Sequence, residues 1–190
     1  MTTIIIAFPP AAGGNHLKNI LSLKNDNNFL PAFYINNKTS VHQRPGSNLK
    51  ETDCIDAISQ LGLHILHGHF GEIMSYQKYL DQLVDKKFII LSPDTAEDRK
   101  LLRARAILLG YATLDADGYF DQEQVFLYEP FIYNRYFQTP MSNIMNISIS
   151  EWFTKDIDPV VSRLNQFLNC KLDTDYVKQL HSIWIDKIKL

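Results

Sequence analysis

Only two cysteines occur in the 190 residues, Cys54 and Cys170, and no Cys-x-x-Cys pair is present. This spacing argues against a disulfide scaffold and a structural zinc site, and it is compatible with a reducing compartment. We therefore predict that both cysteines are small core residues. The N-terminus has neither a basic flank nor a small-residue cleavage site before its first apolar run, so the expected localisation is cytoplasmic.

Long apolar runs and an excess of charge are also missing. No segment approaches the roughly 18 apolar residues of a membrane-spanning helix, so no membrane association is expected. The net charge of −2 gives no reason to expect nucleic acid as a partner. With 45% hydrophobic residues, eleven phenylalanines and no internal repeat, the chain can bury a core as a single domain over residues 1–190.

The first twenty residues are the most informative stretch. Residues 4–8 form a continuous apolar, β-branched run, which predicts a strand buried on both faces. Gly13 and Gly14 then permit backbone conformations that other residues avoid, and residues 15–23 have the spacing of a helix. The N–H groups and the dipole at such a helix start favour an anion. No Lys-Ser or Lys-Thr follows the glycines, so the alternative is a tight turn that binds nothing.

A second informative stretch is the predicted strand at residues 63–70. Alternation places His67 and His69 on one face of this strand, near its end. Since ligands of open parallel sheets bind at the carboxyl ends of strands, both imidazoles are expected at the same sheet edge as the glycine turn. Three roles remain open: structural support, a general base near neutral pH, or a metal site that includes His64. No metal is expected, because His64 points to the other face and no carboxylate partner is evident.

The other segments complete an α/β pattern. Residues 29–48 contain prolines, asparagines and a glycine among aromatics, which predicts an irregular surface excursion. The remaining patterns predict, in chain order, helices at 50–61 and 72–83, a strand at 86–91, a helix at 96–109, an aromatic-rich segment at 111–140, a strand at 144–149, and helices at 160–168 and 176–188. The predicted fold class is three-layer α/β/α with a mainly parallel sheet of four to five strands.

The helix at 96–109 has a basic face near the predicted anion site. Thr95 or Asp94 is its expected N-cap. Its inward residues are predicted to be Leu101, Leu102, Ile107 and Leu108, and its outward residues Arg99, Lys100, Arg103 and Arg105.

The motifs in this order resemble those of the sulfotransferase-like branch of the P-loop fold. Phe8-Pro9 through Leu17 is similar to the family's loop for the 5'-phosphosulfate, commonly Tyr-Pro-Lys/Arg-Ser-Gly-Asn/Thr-His/Thr-Trp. His67-Gly-His69-Phe70 is similar to its Lys-Thr-His-Leu strand end, whose histidine is the catalytic base and here corresponds to His69. Three more segments resemble family motifs. Residues 88–94 are similar to the strand before its Arg-Asn-Pro segment, and residues 147–156 are similar to its Tyr-Glu-Asp-Leu strand and turn. Residues 165–169 are similar to its Phe-Leu-Gly helix.

The resemblance implies transfer of a sulfuryl group from 3'-phosphoadenylyl sulfate to a hydroxyl of a small molecule or glycan, without a metal. It implies His69 as the base, with His67 beside it. The donor would be bound by the loop and by residues after the third buried strand, namely Gly13, Gly14, Asn15, His16, Leu17, Lys18, Ser92, Arg99 and Lys100.

Several positions depart from the family pattern. Ala12 stands where the loop has its basic residue, His67 where the strand motif has Lys, Ser92 where an arginine grips the 3'-phosphate, and Lys100 where its serine partner is expected. The C-terminal Arg-Lys-Gly segment is absent. These departures keep open a binding or regulatory protein that retains the fold without the chemistry. Phosphoryl transfer is a third alternative, but its loop Lys and its Ser or Thr for magnesium are missing.

Overall fold

A computed structural model describes residues 2–21, 32–35, 40–43, 47–50, 65–75, 80–110 and 139–188. Its strands are β1 (Thr3–Phe8), β2 (Ala32–Ile35), β3 (Ser40–Gln43), β4 (Ser47–Lys50), β5 (Ile65–His69), β6 (Lys86–Ser92) and β7 (Ile144–Ser148). Its α-helices are α1 (Gly14–Leu21), α2 (Phe70–Ser75), α3 (Ala96–Leu108), α4 (Ile149–Trp152), α5 (Asp158–Leu168) and α6 (Thr174–Ile188), and a 3₁₀ turn at Met141–Asn143 precedes β7.

The strands form one sheet in the order β4-β3-β2-β5-β1-β6-β7. The five strands from β2 to β7 in this order are parallel, and β3 and β4 are antiparallel additions at one edge. The α/β fold class with a mainly parallel sheet is therefore confirmed. The predicted irregular excursion at 29–48 is wrong where it overlaps β2, β3 and the first half of β4. Strands of four residues are too short to show an alternation, and their hydrogen bonds depend on neighbours elsewhere in the chain.

β1 is buried along its whole length, as its apolar run predicts. Ile5, Ile6 and Ala7 are fully buried, and Ile4 and Phe8 are no more than 5% exposed. Because side chains alternate along a strand, Ile4, Ile6 and Phe8 share one face. They belong to a core cluster to which α1, α3, α4, α5 and α6 contribute. On the other face, α2 packs against β5 and β1.

The face of α3 that is buried differs from the predicted one. Its buried residues are Asp98, Leu102, Arg105 and Ala106, which follow the helical spacing i, i+4, i+7, i+8. Leu108 is instead 60% exposed. The predicted inward position of Leu108 and outward position of Arg105 are therefore wrong, because the buried face combines the apolar Leu102 and Ala106 with the polar contacts of Asp98 and Arg105.

The cysteines and two of the predicted helices can be compared with the structure only in part. Cys170 is exposed, so its predicted place in the core is wrong. Lys50, the first residue of the predicted helix at 50–61, belongs to β4. The rest of that helix, with Cys54, and the aromatic segment at 111–138 lie outside the described residues. The helix at 72–83 is described as helical only in part, from Phe70 to Ser75 and again at Leu80. In the described ranges, no helix has the length and apolar character needed to cross a bilayer.

Candidate functional site

The turn between β1 and α1 is tight and contains two left-handed residues. Ala11 has φ 66° and Gly13 has φ 79°. The Ala12 N–H donates to the Pro9 carbonyl (3.2 Å), and the N–H groups of His16 and Leu17 both donate to the Gly13 carbonyl (2.9 and 3.2 Å). A left-handed alanine costs roughly 1 kcal/mol or more and persists only where the surroundings hold it.

Three backbone donors at the start of α1 remain available. Within the part of the chain that the structure describes, the N–H groups of Gly13, Gly14 and Asn15 reach no acceptor. Consecutive N–H groups that follow a left-handed residue and open a helix form a concavity suited to an anion. Asn15 is exposed and Gly13 is partly exposed, whereas Gly14 is buried.

The two glycines are required for different reasons. Gly13 carries the positive φ. Gly14 is the first residue of α1, and a Cβ built there would overlap the ring of Phe8. Any side chain at Gly14 therefore competes first with Phe8 and not with a ligand.

His69 lies beside the loop, as predicted. β5 pairs in parallel with β1 in a register that places His69 opposite Phe8 and His67 opposite Ile6. The predicted common edge of the Gly13–Gly14 turn and His69 is confirmed by this register. The Phe8 ring meets His69 edge-on, with ring centroids 5.3 Å apart, and lies nearly parallel to His67 at 6.4 Å. His67 is buried and His69 is partly exposed, so His69 is the more accessible of the two.

Below the loop, four rings form what we call the His–Trp cluster: His16, Trp152, His181 and Trp184. His16 stacks on Trp184 with centroids 4.4 Å apart and an interplanar angle of 9°. Trp152 and His181 are fully buried, and their centroids lie 4.9 Å apart. The sequence signal for this cluster was the helical spacing of His181 and Trp184, which alone does not say what they contact.

A chain of hydrogen bonds orients both histidines. His181 Nε2 lies 2.9 Å from the Thr154 carbonyl oxygen, and His181 Nδ1 lies 3.3 Å from His16 Nε2. Because a carbonyl only accepts, the proton of neutral His181 is on Nε2, so its Nδ1 accepts from the His16 Nε2–H. Burial, the neighbouring His181 and the charge of Arg105 together lower the pKa of His16 to about 3. Burial also lowers the pKa of His181, against the opposing effect of its hydrogen bonds to backbone groups of Thr154 and Trp152.

His16 therefore serves the scaffold in this structure. Its ring N–H donates to His181, and its backbone N–H donates to Gly13. Leu17, another predicted loop residue, is fully buried in the core, and Lys18 is 6% exposed. The direct roles predicted for these three residues remain predictions.

Arg105 is the charged residue that the sequence interpretation misplaced. It is 8% exposed. Its guanidinium carbon lies 4.7 Å from the ring centroid of Trp184 and 5.3 Å from that of Phe153, which is cation–π distance. Its positive charge contributes to lowering the pKa of His16, in the first turn of α1. The spacing of Arg105 from Asp98 and Leu102 is the signal that could have indicated an inward position.

The residues predicted to hold a 3'-phosphate lie at the end of β6 and in α3 after it, and the end of β6 is at the same carboxyl edge of the sheet as the loop, since β6 pairs in parallel with β1. Ser92 is fully buried, and its hydroxyl donates to Asp94 Oδ2 at 2.9 Å. Arg99 Nη2 donates to the Asp94 carbonyl at 3.3 Å. Lys100 Nζ lies 4.0 Å from Glu97 Oε2, and the Lys100 side chain is 78% exposed. Only Arg99 and Lys100 are thus accessible from solvent, and their binding roles remain predictions.

Metal binding has no support from the described ranges, where no group of three or more His, Cys, Asp or Glu side chains is placed to hold an ion. His64, one of the ligands considered from the sequence, lies outside these ranges.

A central parallel strand leads through a glycine turn into a helix, within an α/β sandwich, which is an arrangement whose helix start can bind an anion. The crystal structure of mouse sulfotransferase SULT7A1 complexed with PAP superimposes on the chain with a TM-score of 0.52 at 12% identity, and the match covers 98% of this chain and 66% of that one. The chain thus spans slightly less than two thirds of that structure, and the likeness shows a sulfotransferase-like fold. No protein-family model matches the chain, and no curated protein does.

Proposed function

We propose that the protein binds the phosphosulfate group of 3'-phosphoadenylyl sulfate and transfers its sulfuryl group to a hydroxyl of a small molecule or glycan. The observation that supports this proposal is the position of His69, one strand away from three available N–H groups of Gly13, Gly14 and Asn15. The mouse sulfotransferase of similar fold is a complex with PAP, which suggests the nucleotide class to test.

In this proposal the start of α1 holds the 5'-phosphate side of the donor. The N–H groups of Gly13, Gly14 and Asn15 would share the charge that develops on the oxygen leaving sulfur, and the helix dipole adds to it. These donors are held in place before any ligand arrives, so they need no rearrangement during the reaction.

His69 would act as the general base. It would take the proton of the acceptor hydroxyl as that oxygen forms a bond to sulfur and the bond from sulfur to the phosphate oxygen breaks. A neutral imidazole suits this step near pH 7. Its partial exposure leaves room for an acceptor to approach.

The basic residue of the family's loop is replaced here by Ala12, which is fully buried and has only a methyl side chain. Another residue would have to supply the positive charge that stabilises the transferring sulfuryl group. Arg99 and Lys100 lie on the exposed surface of α3, where Arg99 donates to the Asp94 carbonyl and Lys100 Nζ lies 4.0 Å from Glu97 Oε2. We propose Arg105 for the role, because its guanidinium carbon lies 4.7 Å from the ring centroid of Trp184, and a Cβ built at Gly13 would lie 2.5 Å from that same ring. An Arg105→Gln variant should then bind an anion about tenfold more weakly, or worse, by calorimetry.

A second candidate function is nucleotide binding without chemistry. It is favoured by Ala12 and by the Phe8 ring, which touches Gly14 and both histidines and so occupies part of the space where a reacting group would lie. A protein of this kind would retain the backbone anion site and lose transfer.

The experiment compares binding and transfer in the same preparation. Calorimetry with adenosine 3',5'-bisphosphate, and with ATP plus magnesium as the contrast, tests the nucleotide. Transfer of labelled sulfate from 3'-phosphoadenylyl sulfate to a panel of phenols, sugars and amines tests the chemistry. Wild type should bind the bisphosphate selectively and label at least one acceptor.

His69→Ala separates the base from the binding site. It should lower transfer by about 10²-fold to 10⁴-fold with bisphosphate affinity nearly unchanged. The matched control is Ile183→Ala, an exposed position on α6 that should alter neither quantity. Selective binding without transfer would exclude the enzyme and support the binder, and binding of neither nucleotide would contradict both.

A further inference from the structure

We propose that Trp184 and His181, on the C-terminal helix α6, are positioning residues that hold the Gly13–Gly14 turn in its anion-binding shape. This inference rests on the proposed function for its consequence, but its geometry stands independently. α6 lies at the far end of the chain from the loop, and nothing in its sequence pattern connects it to an anion site.

The first contact is between Trp184 and Gly13. A Cβ built at Gly13 would lie 2.5 Å from Trp184 Cζ2, 2.8 Å from Trp184 Cη2 and 3.1 Å from Trp152 Nε1. The backbone of the left-handed residue is thus pressed directly against two indole rings. These rings leave the turn little room to relax to another conformation, which is what a strained backbone needs in order to persist.

The second contact connects His181 with the first turn of α1. The His16 Nε2–H donates to His181 Nδ1, and the His181 Nε2–H donates to the Thr154 carbonyl. His16 is thereby held both by a hydrogen bond and by its stacking on Trp184. The backbone N–H of His16 donates to the Gly13 carbonyl. The orientation of the turn therefore depends on the position of α6.

Trp184 is itself held from another side. The guanidinium of Arg105, on α3, lies 4.7 Å from its ring centroid, and the Phe153 ring lies 5.7 Å from it. The ring is therefore confined between the loop, α3 and the segment after α4. Because the Trp184 ring is confined in this way, a displacement of α6 would also displace the backbone of the loop.

The consequence concerns affinity. The N–H groups of Gly13, Gly14 and Asn15 would converge on one anion only while the turn keeps its shape, so a relaxed turn should bind the anion more weakly. Trp184 would then control anion binding without touching the anion.

The experiment uses three variants of the full chain: Trp184→Leu, Trp184→Phe as the conservative replacement, and Ile183→Ala as the control. The first measurement is the NMR chemical shift and hydrogen exchange of the Gly13, Gly14 and Asn15 amides, which needs no ligand. Trp184→Leu should shift these amides and speed their exchange, Trp184→Phe should do so less, and the control should leave them unchanged. The second measurement is affinity for adenosine 3',5'-bisphosphate, which should fall about tenfold or more in Trp184→Leu.

A double-mutant cycle tests the same contact through stability. Gly13→Ala should be strongly destabilising in wild type, because its methyl group would meet Trp184 and because φ at this position is positive. In the Trp184→Leu background only the cost of the positive φ should remain, so the loss should be clearly smaller. If the two substitutions are additive and the loop amides do not respond to Trp184→Leu, the inference is wrong. If wild type binds no bisphosphate while the amides and the cycle respond as expected, the proposed function fails and the positioning role stands. Should Trp184→Leu fail to fold, Trp184→Phe and His181→Gln provide the same measurements.

Discussion

Phe8 is the residue through which the end of β1, the loop and the histidines of β5 meet. Its ring covers Gly14 and contacts His67 and His69. The position is 4% exposed, so the ring has little freedom to move away. Substitutions at Gly14 and at Phe8 should therefore depend on one another.

Gly14→Ala should destabilise the fold by about 1–3 kcal/mol, the usual cost of forcing extra atoms into a packed core. The cause is overlap with Phe8, since the positive φ belongs to Gly13. Phe8→Leu should recover part of this loss in the double variant. Urea unfolding of the four proteins measures the coupling, and a purely additive result would contradict the packing explanation.

The buried histidines predict a pH dependence of stability. The folded pKa of His16 is about 3, below its ordinary value of 6.5, and that of His181 is lowered too. Below about pH 6.5 the unfolded chain therefore binds more protons, and stability falls as pH falls toward 3, by at most about 1.4 kcal/mol per pH unit for each group. Arg105, the charge that faces His16 from α3, opposes protonation as well.

The measurement is urea unfolding between about pH 7 and pH 5, above the range where carboxylates begin to titrate. Wild type should lose stability across this window. A His16→Gln variant should show a shallower slope, because Gln does not titrate. Equal slopes for the two proteins would show that His16 is protonated as easily in the folded chain as in the unfolded one.

Among the elements, α3 owes its position to Asp98. The Asp98 carboxylate accepts from the Thr95 N–H and hydroxyl (both 2.8 Å) and from the Ser150 N–H at the start of α4 (2.7 Å). Burial acts to raise the pKa of Asp98, but these hydrogen bonds outweigh it and leave the pKa lowered. One side chain thus caps α3 and connects it to α4.

Asp98→Ala should destabilise the protein by about 1–3 kcal/mol, because it removes a capping interaction and the hydrogen bond that connects the buried Asp98 carboxylate to the Ser150 N–H. The matched control is Glu97→Ala, one residue earlier in the same helical turn, whose side chain is 62% exposed; its effect should stay within about 0.5 kcal/mol. Chemical unfolding of both variants distinguishes them. Equal losses would indicate that Asp98 acts only through general helix propensity.

At the scale of the whole molecule, a ligand that binds only the folded chain must stabilise all of it. Adenosine 3',5'-bisphosphate at about 100 times its Kd should add about 2.7 kcal/mol, or roughly 5–10 °C in Tm for a chain of this size. Differential scanning calorimetry at several concentrations measures this shift. ATP with magnesium should produce a smaller shift, and an equal response to both would indicate a site that recognises phosphate but not the 3' position.

Much of the fold was predictable because it depends on hydrophobic patterns within single segments of the sequence. The apolar run of β1 and the helical spacing of α5 and α6 predicted elements that the structure contains. The common edge of the loop and His69 followed from parallel pairing. The short strands β2, β3 and β4 and the buried face of α3 were not predicted, since pairing partners and contacts with distant segments decide them.

The sequence by itself determined the strand, the glycine turn and the helix after it, because buried strands, left-handed turns and helix starts each depend on neighbouring residues. Only the tertiary structure decided what surrounds that turn. His16 and His181 are 165 residues apart in the chain, and the positions of Trp184 and Arg105 against them depend on how separate helices pack. Contacts between such distant segments leave no local periodicity, so the environment of the glycine turn becomes visible only once the layers have assembled.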